Sequence, residues 1–590
     1  MTTVPSHGRR EQRRLWPWIV AACGLAVVAF IALFAWDGWK LMASVEALET
    51  HAGAAQQAVS DRDATALSAQ VGEMQVAAHE FASHTTGPHW TVASWMPWVK
   101  DQTTPLQQAG EAVSAVADDA LGPLSELDDL GALEVPPIEE GRVDPYVLEP
   151  YREALSAAAE VLNGERASLE AISLSNTIAV VREPFLALQA DLTTLGDLVQ
   201  GAHVAAELLP PMLGVDGERT YIVMVQTNAE PRTSGGIAGA VIELTVDDGR
   251  FAFARYVTGE SMQVRNEVVA PLSDDELRVF TERMAHYPQD VNFTPEFPRS
   301  AELLSAFWER DSGDAPDGVI ATDPVALGYM LQDMEPVSID SVEVDGDNLA
   351  DVMLNEVYFQ YPDPKQADAF FALASRELFG KLLAGSGQSL TRGIEQAAGE
   401  RRLLLWSADA AEQELLASTG IAGDFVDRED ALGVFINDGS GSKIGYYIDT
   451  ELAVVDRLCA SDQSLAGQTV TLTMRHTYQG DVGDLPEYIG IGGDYVPNGE
   501  FHANVLVMPP VGMGVTDFMR DGDDAQLAPE VLHGRELSEA RVVLLPGDSV
   551  ELSYTLSARD RGIPLDAVVE TPGPKLNVYT RTVDTEKDAC

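Results

Sequence analysis

From Leu15 to Trp36 the chain reads LWPWIVAACGLAVVAFIALFAW, without one charged side chain. As a helix, such a run is long enough to cross a hydrocarbon core of about 30 Å, which takes roughly 20 apolar residues. If it spans, everything after it folds on one side of a membrane. Arg9, Arg10, Arg13 and Arg14 precede the run, and Asp37 and Lys40 follow it. Basic flanks stay cytoplasmic. The sequence therefore predicts a basic cytoplasmic tail over 1–14, a signal-anchor transmembrane helix over 15–36, and an extracytoplasmic bulk. Trp16, Trp18, Trp36 and Trp39 stand where interfacial aromatics belong. A cleaved signal peptide is the competing reading. It fits less well, because such apolar regions run about 7–15 residues and end in a small-x-small site. This run ends in Phe34-Ala35-Trp36-Asp37.

The 590 residues are too many for one core. At roughly 100–200 residues per domain, two to four domains are expected. The 93 Asp and Glu against 38 Lys and Arg argue against a nucleic-acid partner. The acids are spread along the chain, as on a solvated exterior. Of three cysteines, Cys23 falls inside the apolar run, while Cys459 and Cys590 fall where disulfides persist. Those two are candidates to pair if the C-terminal strand returns beside the strand near Cys459. No Cys/His spacing suggests structural zinc.

Three regions follow the anchor. Residues 42–209 are rich in Ala, Leu, Glu and Gln with apolar positions at helical spacing, broken at Gly122-Pro123 and Pro136-Pro137. They read as a helical bundle or stalk. Within them Gly87–Lys100, GPHWTVASWMPWVK, reads as a loop packed on the bundle or on the bilayer surface. Residues 217–452 switch period. Tyr221–Val225 and Ala238–Val246 read as strands, and Phe251–Val257 returns across the turn Asp247-Asp248-Gly249. Helices are expected over Ser300–Glu309 and, with Asp323 as N-cap and Pro324 at the first position, after a strand at Gly318–Ala321. With further strands at Phe435-Ile436 and Tyr446–Leu452, this is an α/β domain with a mixed sheet. Residues 453–590 carry short alternating strands between turn signals and predict a β-sandwich.

Most catalytic signatures are missing: there is no phosphate loop, no HExxH and no GxSxG. Ser440-Gly-Ser-Lys443 has SxxK spacing but sits in a turn between strands, not at a helix start. Asp345, Asp347 and Glu356 lack the remaining positions of a calcium loop. What survives is QTNAEPRTSGG, residues 226–236, between two strands. Ligands of open sheets bind beyond strand ends. Asn228 and Glu230 offer oxygens for a hard cation, Arg232 a planar fork for phosphate, and Gly235 and Gly236 close backbone approach. The alternative is a polar turn with Arg232 paired to Glu230. A second cluster, Asn292, Pro295, Phe297, Pro298 and Ser300, precedes a helix whose free N–H groups suit an anion or simply its cap. Asp317 and Asp323 form a third.

The run ERTYIVMVQTNAEPRTSGGIAGAVIELTVDDGRF resembles the opening motif of the domain of unknown function 4012 family, of membrane-anchored, often actinobacterial proteins. NFTPEFPRSAELL, DGVIATDPVALGYML, LNEVYFQYPD and FINDGSGSKIGYYID resemble its later motifs, so the likeness covers about 218–449. More distantly, the order of segments is similar to the LytR-CpsA-Psr phosphotransferases. These wall enzymes transfer glycopolymers from polyprenyl pyrophosphate lipids to peptidoglycan with Mg²⁺. That likeness implies Arg232 on the pyrophosphate, Asn292 lining the pocket, Asp317 supporting the sheet, and Glu230 with Asn228 near Mg²⁺. It departs after the third strand, where Gly259-Glu260-Ser261-Met262 replaces an Arg-Asp pair, with Arg265 and Glu260 as candidate substitutes. Two functions follow as expectations. One is a cell-envelope factor handling a lipid-linked or cell-wall glycopolymer, by phosphotransfer if it is an enzyme. The other is a non-catalytic scaffold or binding protein with a degenerate phosphotransferase-like domain.

Overall fold

A computed structural model describes residues 12–586, apart from 61–62, 126–137, 140, 175, 263–266, 385–387, 460–464, 493–495 and 559–566. The chain forms two compact units. The first comprises Met1–Leu133 and Glu149–His203, the second Glu134–Leu148 and Val204–Cys590.

The first unit is helical. A continuous helix, Gln12–Ser60, covers the expected span, but the side chains of 12–29 and 31 lie outside the described residues. Among the described residues no helix is long and apolar enough to cross a membrane. The helix Ala64–Thr85 starts on Asp63, whose carboxylate accepts from the Ala66 N–H at 2.9 Å. Helices Pro97–Ala115 and Arg152–Glu170 complete a core around Leu41, Phe81, Trp90, Leu162, Phe185 and Leu192. The segment expected as a loop at 87–100 is instead mostly helical, in Pro88–Ala93 and the start of Pro97–Ala115. Pro88 and Pro97 sit in first turns, where a missing N–H costs nothing. Gly122-Pro123 does not break the chain's helicity, because a wider turn, Val116–Leu121, runs into Gly122–Ser125.

The second unit holds the sheets. Its strands are β1 (Ile138–Glu139), β2 (Arg142–Val143), β3 (Arg219–Arg232), β4 (Gly235–Asp247), β5 (Arg250–Thr258), β6 (Gly318–Thr322), β7 (Val337–Ile339), β8 (Val342–Val344), β9 (Leu404–Ser407) and β10 (Leu432–Asp438). There follow β11 (Ile448–Cys459), β12 (Leu465–His476), β13 (Phe501–Met508), β14 (Met513–Arg520), β15 (Asp523–Asp524), β16 (Ala528–Leu532), β17 (Arg535–Leu544), β18 (Ser549–Ala558), β19 (Val568–Glu570) and β20 (Val578–Glu586).

A mixed sheet runs β1-β2-β5-β4-β3-β6-β9, with β3 and β6 parallel. The β4–β5 turn puts Asp248 and Gly249 at positive φ, as a two-residue hairpin with right-handed strand twist requires. Alternation along β3 divides its side chains between two cores. Ile222 and Met224 meet Leu303, Leu304 and Phe307 of the helix Phe297–Ser312. Tyr221 packs with Leu208, Val246 and Leu416. Each large side chain so buried contributes about 1.5–3 kcal/mol. Asp317 locks the parallel pair, accepting from the Thr220 N–H at 2.7 Å and from Arg219 Nη1 at 3.2 Å.

Two further sheets, β16-β17-β13-β10-β19 and β15-β14-β18-β12-β11-β20, face each other across a shared core. Here the expected boundary at 452/453 is corrected. It falls inside β11, and the strands expected to close the α/β domain belong to this sandwich. β10 pairs with β13 and β19, and β11 with β12 and β20. Alternation marks a strand but does not choose its partner. Residues 134–148 and 204–209, expected in the helical region, likewise belong to the second unit. Cys459 is disulfide-bonded, and β20 runs parallel to β11 with Glu586 opposite Cys459. Cys590 lies outside the described residues.

Candidate functional site

The β3–β4 hairpin is drawn tight by glycine. Gly235 has a φ of 141°, and a Cβ there would stand 1.8 Å from Gln226 Oε1. Beside the hairpin, the turn Lys443–Tyr447 after β10 lies against Ala229. A Cβ on Gly445 would be 2.5 Å from the Ala229 carbonyl oxygen. That close approach brings Lys443 to Glu230, with Nζ 2.7 Å from Oε1. The ammonium lies between the rings of Tyr358 and Tyr488, at 5.2 and 4.9 Å from their centroids. Burial alone would lower the lysine pKa; the facing Glu230 carboxylate outweighs it, and the ammonium stays charged well above neutrality.

Arg232 is buried at the end of β3. It donates through Nη2 to Asp290 Oδ1 at 2.9 Å, and through Nη1 to the carbonyls of Pro231 and Asp438 at 3.0 and 3.2 Å. The Phe293 ring covers its guanidinium at 4.6 Å. Arg283, exposed and stacked on Tyr287, reaches the other Asp290 oxygen at 2.7 Å. Burial pushes the Asp438 carboxyl up to about 6, against the pull of Arg232.

These residues wall a cleft of about 680 Å³, and a second cavity of about 510 Å³ shares Arg232, Arg283 and Gly441 with it. Five carboxylates line the larger cleft, Glu230, Glu260, Asp290, Asp368 and Glu487, against three cations, Arg232, Arg283 and Lys443. The half-buried rings of Tyr256, Tyr287 and Tyr488 add aromatic wall. Gln226 Nε2 and Gln289 Oε1 are buried at its edge without partners. A native interior rarely leaves such atoms unpaired without a ligand or water.

Of the residues singled out in the sequence, Glu230, Arg232 and Glu260 line this cleft. Arg232 is not paired with Glu230; each has found another partner. Asn228 is fully buried and donates to Asp323 Oδ2 at 3.0 Å and to the Pro572 carbonyl at 3.2 Å. Asp323 also caps the helix Pro324–Leu331 and bonds Arg402 at 2.9 Å, so Asn228 joins a structural knot. Asn292 is buried and donates to the Gly236 carbonyl. Ser300, inside the helix, donates to the Glu296 carbonyl at 3.2 Å. Gly235 and Gly236 shape the hairpin. Arg265 lies outside the described residues. Ser440 exchanges hydrogen bonds with the backbone of His502, donating to its carbonyl and accepting from its N–H.

Mg²⁺ does not fit the expected ligands. A cation on Glu230 would stand beside the Lys443 ammonium, and Asn228 is turned to Asp323. Among the described residues, no group of three or more His, Cys, Asp or Glu could hold a metal ion.

Sequence reading missed Lys443 as Glu230's partner, along with Asp290, Arg283 and the tyrosines. The available signal was Gly445 with Lys443 in the last quoted motif. A family model described as "Protein of unknown function (DUF4012)" matches residues 216–358. The match takes in Glu230, Arg232, Asp290 and Tyr358, while Lys443 and Tyr488 come from beyond it. No curated protein and no solved structure matches the chain.

Proposed function

From the premise that residues 216–358 belong to that family, whose description names no activity, we propose a membrane-anchored, non-catalytic binding protein of the cell envelope. The anchor is the segment 15–36, with the N-terminus cytoplasmic and the bulk outside. The cleft of the second unit takes a neutral stretch of a cell-wall or surface glycan.

One observation carries this reading: the cleft holds five carboxylates against three cations, and each cation already faces a carboxylate. A pyrophosphate group would enter a field of its own sign and compete with carboxylates at 2.7–2.9 Å. An uncharged sugar meets no such penalty. Aromatic faces stack on its C–H surface, and unpartnered amides give its hydroxyls directional bonds. Phosphotransfer from a polyprenyl pyrophosphate, the other expectation, finds Arg232 held by Asp290 and two carbonyls, and Glu230 and Asn228 engaged by Lys443 and Asp323.

Two probes separate the readings. Calorimetry with chitotetraose and with lysozyme-solubilised peptidoglycan should show binding that Tyr287→Ala weakens at least tenfold. Incubation with a short-chain polyprenyl-pyrophosphate disaccharide and Mg²⁺ should release no lipid phosphate. Release lost on Arg232→Ala would overturn the proposal in favour of the enzyme.

A further inference from the structure

From Phe81 to Val99 there is no Asp, Glu, Lys or Arg, in a chain that carries 93 acids. The height of this stretch along the helix Gln12–Ser60 is set by one node. The buried Asp37 carboxylate accepts from His84 Nδ1 at 3.0 Å, His89 Nε2 at 2.5 Å and Trp90 Nε1 at 3.0 Å. The Phe34 ring packs on His89 and Trp90, with centroids 5.2 and 4.9 Å apart. The short helix Pro88–Ala93 is therefore held beside residues 34–37, where the uncharged run ends. The turn Ala93–Pro97 follows within a few residues.

What this turn and the start of the helix Pro97–Ala115 present is apolar and bare. Trp95 is 78% exposed and Trp98 65%. On the long helix, Trp36 and Trp39 are 56% and 57% exposed, their rings 5.5 Å apart. Four bare indoles on the unit that carries the uncharged run are unusual on a surface facing water alone. Indole, with its apolar body and single N–H, favours the boundary between hydrocarbon and water.

We propose that the turn Ala93–Pro97, with Trp95 and Trp98, rests in the headgroup layer of the bilayer that segment 15–36 enters. It would be a second membrane contact of the first unit beside Trp36 and Trp39. The inference rests on the anchor reading above. Three observations favour lipid as the occupant. The helix Pro88–Ala93, which leads into the turn, is pinned beside residues 34–37, where the apolar run stops. Its exposed side chains are aromatic or aliphatic. The stretch lacks the acids that anionic headgroups would repel. Two contacts around one span limit the tilt and rotation open to a lone helix.

The test uses the full chain in vesicles of phosphatidylglycerol and phosphatidylethanolamine doped with lipid brominated near the headgroup end of its acyl chains. Alkaline carbonate extraction comes first: retention supports the anchor, and release overturns the anchor and this inference together. On this reading six of the tryptophans, at 16, 18, 36, 39, 95 and 98, would lie at the interface in the retained protein, so W95S/W98S should lower the bromine-quenched emission by about a third. Retention with unchanged quenching overturns the inference and leaves the anchor standing. Because both side chains are exposed, the variant should keep wild-type helical circular dichroism.

Discussion

Lys443→Met leaves the Glu230 carboxylate buried without its cation. The pair is close, at 2.7 Å, with both side chains nearly enclosed. Removing one partner of such a pair costs about 3–5 kcal/mol, mostly the desolvated charge left behind. Methionine keeps an apolar stem between Tyr358 and Tyr488, so little of the loss is cavity. Glu230→Gln, K443M together strands no charge and should cost about 1 kcal/mol or less, since buried pairs replaced whole are often neutral. The double variant should then be about 2–4 kcal/mol more stable than K443M alone. At about 2 °C per kcal/mol, the single variant should melt about 6–10 °C below wild type. Differential scanning calorimetry on the wild type, both single variants and the double variant supplies the cycle. Two results would refute the reasoning: a K443M loss under about 1 kcal/mol, or a double variant as unstable as the sum of the singles.

Two further outcomes follow. Gly235→Ala would drive a Cβ into Gln226 at a positive φ, so it should lower the melting temperature by several degrees and empty the cleft of any glycan affinity; an unchanged melting curve would contradict the hairpin geometry. Asp37 acts in the first unit through pH. Burial would raise its pKa, but the hydrogen bonds from His89, Trp90 and His84 outweigh that and hold it below 3.8. A depressed carboxyl contributes stability that is present above the unfolded value and lost as pH falls through the folded one. Amide exchange in Pro88–Ala93 should therefore keep its protection at pH 5 and lose it progressively as pH falls below the ordinary aspartate range, while Asp37→Asn shows no such step.

The parts legible in the sequence are those decided within a few residues. The strands at 221–225 and 238–246 show as apolar runs, the Asp248-Gly249 turn as its dipeptide, and the helix after Asp323 as its cap and proline. The β10 and β11 segments are equally legible as strands, yet their sheet is not, because alternation is the same whichever neighbour supplies the ladder.

The cleft was half visible. Glu230 and Arg232 stood out as charges between strands, but their partners lie 213 and 58 positions away, at Lys443 and Asp290. A charge in a sequence carries no sign of whether it will face water, a ligand or another charge. That is settled only when folding removes its solvent, and the partner is then whichever opposite charge the backbone has brought within about 3 Å. By itself the sequence determined which segments coil, extend and turn, since those follow from backbone propensity and apolar period. Only the tertiary structure decided that the expected phosphate arginine is a buried strut and that the cleft is acidic, because desolvation and pairing act between residues that are neighbours in space alone.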